Sequence, residues 1–352
     1  MSALAEALTA YLSRVWGSPT VVENLSRISG GASRETYRFD VVRGGEGTAG
    51  QGAARTGYIL RRDPPGSLID TDRTSEFAAI RSFEGKDVAA PAAILLEADG
   101  AELERPFFIM GRIDGGSPAS PFAPDPYGPH AASIGEQFFS ILGRIAREPV
   151  GRLPLAETGQ PAPEDCWRHE LDYWAGVIEA DEMHPQPIVR AAIRRLRRAP
   201  PPPAQKLSVV HGDYRSGNFL HDGAGRIVAV LDWEMAHIGD PLEDIAWAMD
   251  PLWSRPGDPR VSGMLTPEEG LAIWRRESGL AIDAGALAWW RLFASVKAQA
   301  IWISSAKAWA EGGMSEPVLA FSGWYTARAQ DVILSRALLD WDKVTDMKGR
   351  PA

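Results

Sequence analysis

Cysteine occurs once in these 352 residues, at Cys166, which rules out an intrachain disulfide and fits a reducing compartment. That thiol reads as a buried helix residue rather than a nucleophile. No segment approaches the roughly 20 uninterrupted apolar residues that a membrane span needs, so no membrane partner is expected. Positive charge is in deficit: 37 lysines and arginines against 46 aspartates and glutamates leave a net charge of −9, the wrong sign for a nucleic-acid partner. Lysine is absent before Lys86, so the strongly basic side chains ahead of it are all arginines. A Walker A phosphate loop is missing as well, because Gly85 and Lys86 are followed by Asp87 and nothing upstream fits. The opening segment MSALAEALTAYLSRVWG has neither the basic start nor the unbroken apolar core of a secretory leader. Leu4, Leu8, Leu12 and Val15 instead recur at helical spacing, an amphipathic surface helix, and the expected location is cytoplasmic.

What remains is ordinary globular material, 45% hydrophobic and 24% charged, long enough for two lobes with a core each. Residues 1–115 read as a β-rich lobe around one helix. VVENLSRISGG, ETYRFDVV, GYILRR, AAILLE and RPFFIMGRI have strand character, and DRTSEFAAIRSFEG a helical pattern with Thr71 or Asp72 as cap. Beyond DGGSPASPFAPDPYGPH, residues 116–352 turn mainly helical. Four prolines at 200–203 stop one helix and serve either as a linker or as a loop within the lobe. Two strands, KLSVV and RIVAVLD, flank the loop HGDYRSGNFLHDGAG. Twelve of thirteen tryptophans lie at or beyond Trp167, as core or pocket wall. The fold class expected is α+β.

The chemistry lies between those two strands. His211, Gly212, Asp213 and Asn218 follow an apolar strand directly, and Asp232 ends the next one. Two carboxylates and a carboxamide thereby reach one edge, the set that phosphoryl transfer requires. One carboxylate orients the attacking hydroxyl, while the amide oxygen and the second carboxylate hold Mg²⁺ against a triphosphate. In the protein-kinase signature the catalytic Asp and the metal-binding Asn are five positions apart, as Asp213 and Asn218 are here. A polar turn capping local backbone explains each residue singly but not their joint spacing.

HGDYRSGNFL, followed by LDWEMAHIGDPLEDIAW, closely resembles the aminoglycoside phosphotransferase family. The likeness extends upstream through YILRRDPP, Glu76 and PFFIMGRIDGG, and is strongest to the kinase domains associated with acyl-CoA dehydrogenases. The resemblance implies a two-lobed protein-kinase-like fold with ATP and Mg²⁺ as cofactors. It implies Asp213 as catalytic base, Asn218 and Asp232 as magnesium ligands, and Asp244 as a carboxylate bracing the catalytic loop. It also implies that Met110 lines the adenine pocket, with Gly111 C=O and Ile113 N–H facing the purine edge.

The nucleotide side departs from the protein-kinase pattern. SGGASRETY, with Gly30, Gly31 and Ser33, stands where a phosphate-cradling hairpin belongs, yet it is not the full G-x-G-x-x-G. The one formal match, at Gly45, Gly47 and Gly50, opens no helix and reads as a connection between strands. Without a lysine in the third strand, Arg61 or Arg62 must meet the phosphates. Alternation favours Arg61 if Ile59 faces the cleft, with Glu76 as its partner ahead of Glu84.

The leading reading is an ATP-dependent kinase acting on a hydroxyl of a small molecule. The alternatives are an aminoglycoside kinase and a nucleotide-binding pseudokinase. A metal-dependent hydrolase lacks the further histidine ligands such sites need, His221 and His237 reading as loop residues. The tryptophan-rich C-terminal third favours a partly apolar acceptor. Glu234, Asp250 and Glu311 are the acidic residues that bear on a cationic one.

Overall fold

Apolar spacing along the first helix predicts one buried face, and that face is the lid of a small core. The computed structural model describes residues 2–28, 35–43, 55–63, 73–120, 123–312 and 316–349. Helix α1 (Ala3–Trp16) starts at Ser2, whose hydroxyl accepts from Ala5 N–H, and stops at Gly17 in the left-handed conformation, φ 63°. Leu8 and Leu12 are buried as expected, but Tyr11 rather than Val15 completes the stripe.

Strands β1 (Thr20–Arg27), β2 (Glu35–Arg43), β3 (Arg55–Arg62), β4 (Ala93–Glu97) and β5 (Phe107–Gly111) form an antiparallel sheet in the order β1-β2-β3-β5-β4. One face packs against α1 through Val22, Phe39, Tyr58, Leu60 and Ile109. On β3 the period of two sends Ile59 and Arg61 the other way, into the cleft. Helix α2 (Arg73–Arg81) connects β3 to β4 and joins a second, larger core. Phe77 meets Phe108 of the sheet edge-on at 6.0 Å, and Phe83 lies 5.0 Å from Trp233 in the C-terminal part. The helix and the turn that follows it therefore tie the sheet to the machinery below.

That lower part comprises β6 (Ser117–Pro118), α3 (Ala131–Arg147), α4 (Cys166–Asp181), α5 (Pro187–Arg198), β7 (Ser208–Val210), β8 (Phe219–His221), β9 (Ile227–Val230), β10 (His237–Gly239), α6 (Leu242–Ala248), α7 (Pro267–Ser278), α8 (Ala284–Ala310), α9 (Pro317–Phe321) and α10 (Ala327–Gly349), with a π-helical turn at Ser322–Thr326. Helix α8 is apolar on nearly all sides because it is the hub, packed against α4, α5, α6 and α10. Trp289 and Phe293 stack along it and Trp290 meets both edge-on, all three fully buried.

Two expectations change. β7 and β9 do not flank a plain loop: Phe219–His221 is itself a strand, β8, which pairs with β9, while β7 pairs with β10. The prolines at 200–203 run between α5 and β7 inside the helical part, a loop rather than a linker.

Candidate active site

His211, Gly212 and Asp213 leave the end of β7 and are clamped before they reach the cleft. Asp244, on α6, accepts from His211 N–H at 2.6 Å and from Gly212 N–H at 2.9 Å. The His211 ring donates from Nε2 to Leu231 C=O at 3.0 Å and accepts at Nδ1 from Asp213 N–H at 3.2 Å, which fixes its tautomer. Burial pushes this imidazole down to about 4, so it is neutral and structural. Gly212 has φ 82°, and a Cβ there would stand 2.4 Å from Met235 O. Only glycine fits this approach.

Asp213 is held by three donors: Asn218 Nδ2 at 2.6 Å, Trp247 Nε1 at 2.8 Å and Arg215 Nε at 3.0 Å. Burial raises its carboxyl above the ordinary range, with Arg215 pulling the other way. The amide nitrogen of Asn218 also donates to Asp213 C=O at 2.9 Å. Its donor is thus committed to the loop, which leaves the carbonyl oxygen as the atom a hard cation would take. Asp232 follows β9 in a left-handed conformation, φ 67°, a rarely populated state for a residue with a Cβ and one concentrated at functional sites.

Arg61 reaches across the cleft. Its Nη1 lies 2.7 Å from Glu76 Oε1 and 3.0 Å from Asp232 Oδ1, and its Nη2 lies 3.1 Å from Glu234 Oε2. Burial raises the Asp232 carboxyl, Arg61 outweighs that, and the net displacement is downward, keeping it ionised. Glu76 is completely buried and also meets Arg73 at 3.2 Å. Arg62 points to the opposite face and pairs with Glu35 at 2.6 Å, while Glu84 accepts from Ala93 N–H. The alternation argument and the ranking of Glu76 over Glu84 therefore agree with the geometry.

Arg61, Asp213, Arg215, Asn218, Asp232, Glu234 and Trp247 open on one cavity of about 1550 Å³. That exceeds the ~300–1000 Å³ of an ordinary single-ligand pocket, so two ligands have room. Ile59, Met110, Gly111 and Ile113 line one end. Asp213, Asn218, Asp232 and Glu234 form the floor. Gly30, Gly31 and Ser33 lie outside the described residues, as do Gly45, Gly47 and Gly50. Trp247, whose indole N–H holds Asp213, went unnoticed in the sequence, where it is one tryptophan among many. His237 is not a plain loop residue either: it lies on β10, 3.2 Å from Glu243 and 3.5 Å from Glu170.

The sequence model of the phosphotransferase enzyme family matches residues 24–280. The chain belongs to that family. The family is one of phosphotransferase enzymes. Acyl-CoA dehydrogenase family member 10 of Mus musculus is 26% identical over 247 residues, which cover 69% of this chain and 22% of that protein. The chain thus spans about a fifth of the length of this relative. Viomycin phosphotransferase of Streptomyces vinaceus is 29% identical over 178 residues, 47% of this chain and 58% of that one. Among solved structures, a candidate aminoglycoside phosphotransferase of Ralstonia eutropha superposes with a TM-score of 0.73 at 20% identity, covering 94% of this chain and 97% of that one. A mutant of aminoglycoside phosphotransferase APH(4)-Ia in complex with ADP and hygromycin B gives 0.56 at 17% identity, covering 94% and 98%. The fold is kinase-like, a β-sheet N-terminal region over a helical C-terminal part.

Proposed function

We propose that this protein is an ATP- and magnesium-dependent kinase that phosphorylates a hydroxyl of a partly apolar small molecule. The observation that carries the reading is the convergence of Asp213, Asn218 and Asp232 on the floor of a cavity with one ionic and one aromatic end. The nucleotide end is residues 1–115, with Met110, Gly111 and Ile113 against the base. The acceptor end belongs to residues 116–352. The ADP bound in the APH(4)-Ia complex supports the choice of nucleotide.

The floor fits magnesium. Three carboxylates, Glu76, Asp232 and Glu234, converge on the single guanidinium of Arg61. Glu76 is shared with Arg73 as well, and the candidate magnesium ligands are all hard oxygens. Asn218 and Asp232 would hold the ion, whose chemistry is to neutralise charge on the phosphates. Asp213 orients the acceptor hydroxyl and takes its proton late in a loose transition state. Its raised carboxyl brings its basicity nearer to the operating pH. Arg61 presents a planar fork to phosphate oxygens where protein kinases use a lysine. Glu76, buried beneath it, sets its direction. Gly30, Gly31 and Ser33 are assigned to the phosphate loop on sequence grounds.

From Trp247 onward, every described residue lining the cavity is apolar, aromatic or hydroxyl-bearing, including Leu252, Trp253, Ile301, Trp302 and Tyr325. Glu234 is engaged by Arg61, Asp250 is buried against Ser295 and Leu252 N–H, and Glu311 lies outside the cavity. A polycationic aminosugar would find no carboxylate on that wall. A hydroxyl carried on an apolar chain is the better occupant.

The test is Mg²⁺-dependent ATP consumption over a panel of hydroxylated compounds, wild type beside Asp213→Asn. Turnover with at least one acceptor and a loss of about 10²–10⁴-fold in the variant is expected. Tight ATP binding without turnover on any acceptor would mark a pseudokinase instead.

A further inference from the structure

A buried lysine stands behind the catalytic loop, where packing alone gives no reason for one. Lys297 lies midway along the apolar hub helix α8 and is 1% exposed. Its Nζ donates to Gly212 C=O at 2.7 Å and to Glu243 Oε1 at 2.9 Å, and it sits over the indole faces of Trp247 at 5.2 Å and Trp174 at 5.6 Å. Taking an ammonium out of water costs several kcal/mol, on the order of what only a well-made pair repays. Burial would discharge it, but Glu243 and Glu170 outweigh burial and keep it protonated.

The peptide unit between Gly212 and Asp213 is consequently held at both ends. Lys297 takes its carbonyl, and His211 Nδ1 takes its N–H. Behind Lys297 the charges continue: Glu243 Oε2 accepts from His237 Nε2 at 3.2 Å, and His237 Nδ1 donates to Met235 C=O at 3.0 Å. Met235 O is the atom that a Cβ on Gly212 would strike. The cluster therefore touches Gly212 twice, through the Lys297 ammonium and through the Met235 carbonyl. Trp247 links the same lysine to the Asp213 carboxylate by its N–H.

We infer that Lys297 is a positioning residue for Asp213, fixing the Gly212–Asp213 peptide so that the carboxylate faces the acceptor hydroxyl, and that Glu243 and His237 hold Lys297 in register. This rests on the reading of Asp213 as the base. The competing use of the cluster is a divalent-metal site, since one ligand atom each from Glu170, His237 and Glu243 lies within 4.8 Å of the others. Against it, the ammonium already occupies Glu243, and both ring nitrogens of His237 have acceptors.

The experiment compares Lys297→Met, the near-isosteric pair Lys297→Met/Glu243→Gln, His237→Gln and Asp213→Asn in the full chain. The single lysine variant leaves Glu243 buried without its cation and loses thermal stability. The pair removes both charges and regains most of it. Its kcat is nevertheless expected to stay at least ~10-fold below wild type with KM for ATP within ~2-fold, because misplacement of a catalytic group by even a fraction of an ångström is felt in kcat. His237→Gln, at a position whose side chain is 24% exposed and where the amide can still donate to Glu243, should lower kcat by about 3-fold at unchanged KM, on the same reasoning. A stable double variant with wild-type kcat overturns the inference. So does wild-type kcat in His237→Gln, should the double variant fail to fold. Saturable binding of Zn²⁺ to the wild type by calorimetry, lost in Glu170→Gln, reassigns the cluster to a metal and overturns it too. Retained turnover in Asp213→Asn would instead sink the assignment of the base, and the two failures are distinguishable.

Discussion

The two ends of the cavity are made of opposite materials. Where the proposed nucleotide end meets the floor, a buried guanidinium, Arg61, binds Glu76, Asp232 and Glu234 within 3.1 Å, and position and charge are settled before any ligand arrives. At the acceptor end Trp247, Trp253, Ile301, Trp302 and Tyr325 offer area and shape, and the charge beside them is the Arg215 guanidinium over Trp253 and the Asp213 carboxylate bonded to Trp247. The difference separates reaction from substrate. Ionic geometry at the first end specifies phosphoryl transfer, whereas an apolar wall discriminates only by how much surface it covers.

The largest effect outside Asp213 should come from Arg61. Arg61→Lys keeps the charge but cannot span Glu76, Asp232 and Glu234 at once, so kcat/KM for ATP should fall by about 10–10²-fold. Arg62→Ala, whose partner Glu35 lies on the far side of the strand, should leave it near wild type, and steady-state kinetics on both variants checks the contrast. Trp302→Ala removes indole surface from the acceptor end. It should raise the acceptor KM by about 10-fold, the worth of roughly 1–2 kcal/mol of lost apolar burial, and leave KM for ATP unchanged.

A smaller, pH-dependent effect belongs to His237. Burial opposes its charge, but Glu170 and Glu243 outweigh burial and raise the imidazolium to about 10 from an ordinary 6.5. A raised folded value means a contribution that is complete below pH 6.5 and lost as pH climbs through 10. The melting temperature of wild type should therefore drop more steeply between those limits than that of His237→Gln. Equal slopes by calorimetry would show that the ring carries no charge there.

Legibility followed the range of the interactions. The Asp213–Asn218 spacing, the facing of Arg61 with Ile59 and the five strands of the sheet were readable, because periods of two and fixed offsets are local properties. The three-residue strand β8 was not. FLH is too short to show alternation and is recognisable only beside β9. Trp247 and Lys297 were invisible for a different reason. Each bonds to the Gly212–Asp213 segment from far along the chain, 34 and 85 residues away, and an indole or an amine on an apolar helix has no local signature of what it touches. Lys297, the mid-helix one of the two lysines in the tryptophan-rich run of α8, was the one available hint.

The division of labour between the two ends is most directly tested with acceptors of growing alkyl length that carry one hydroxyl each, with phosphomonoester formation followed by phosphorus NMR. Burying each added methylene contributes about 0.8 kcal/mol, so kcat/KM for the acceptor should climb roughly 4-fold per carbon until the wall is covered, while KM for ATP holds constant. A flat series, together with faster phosphorylation of a polycationic aminosugar, would contradict the account.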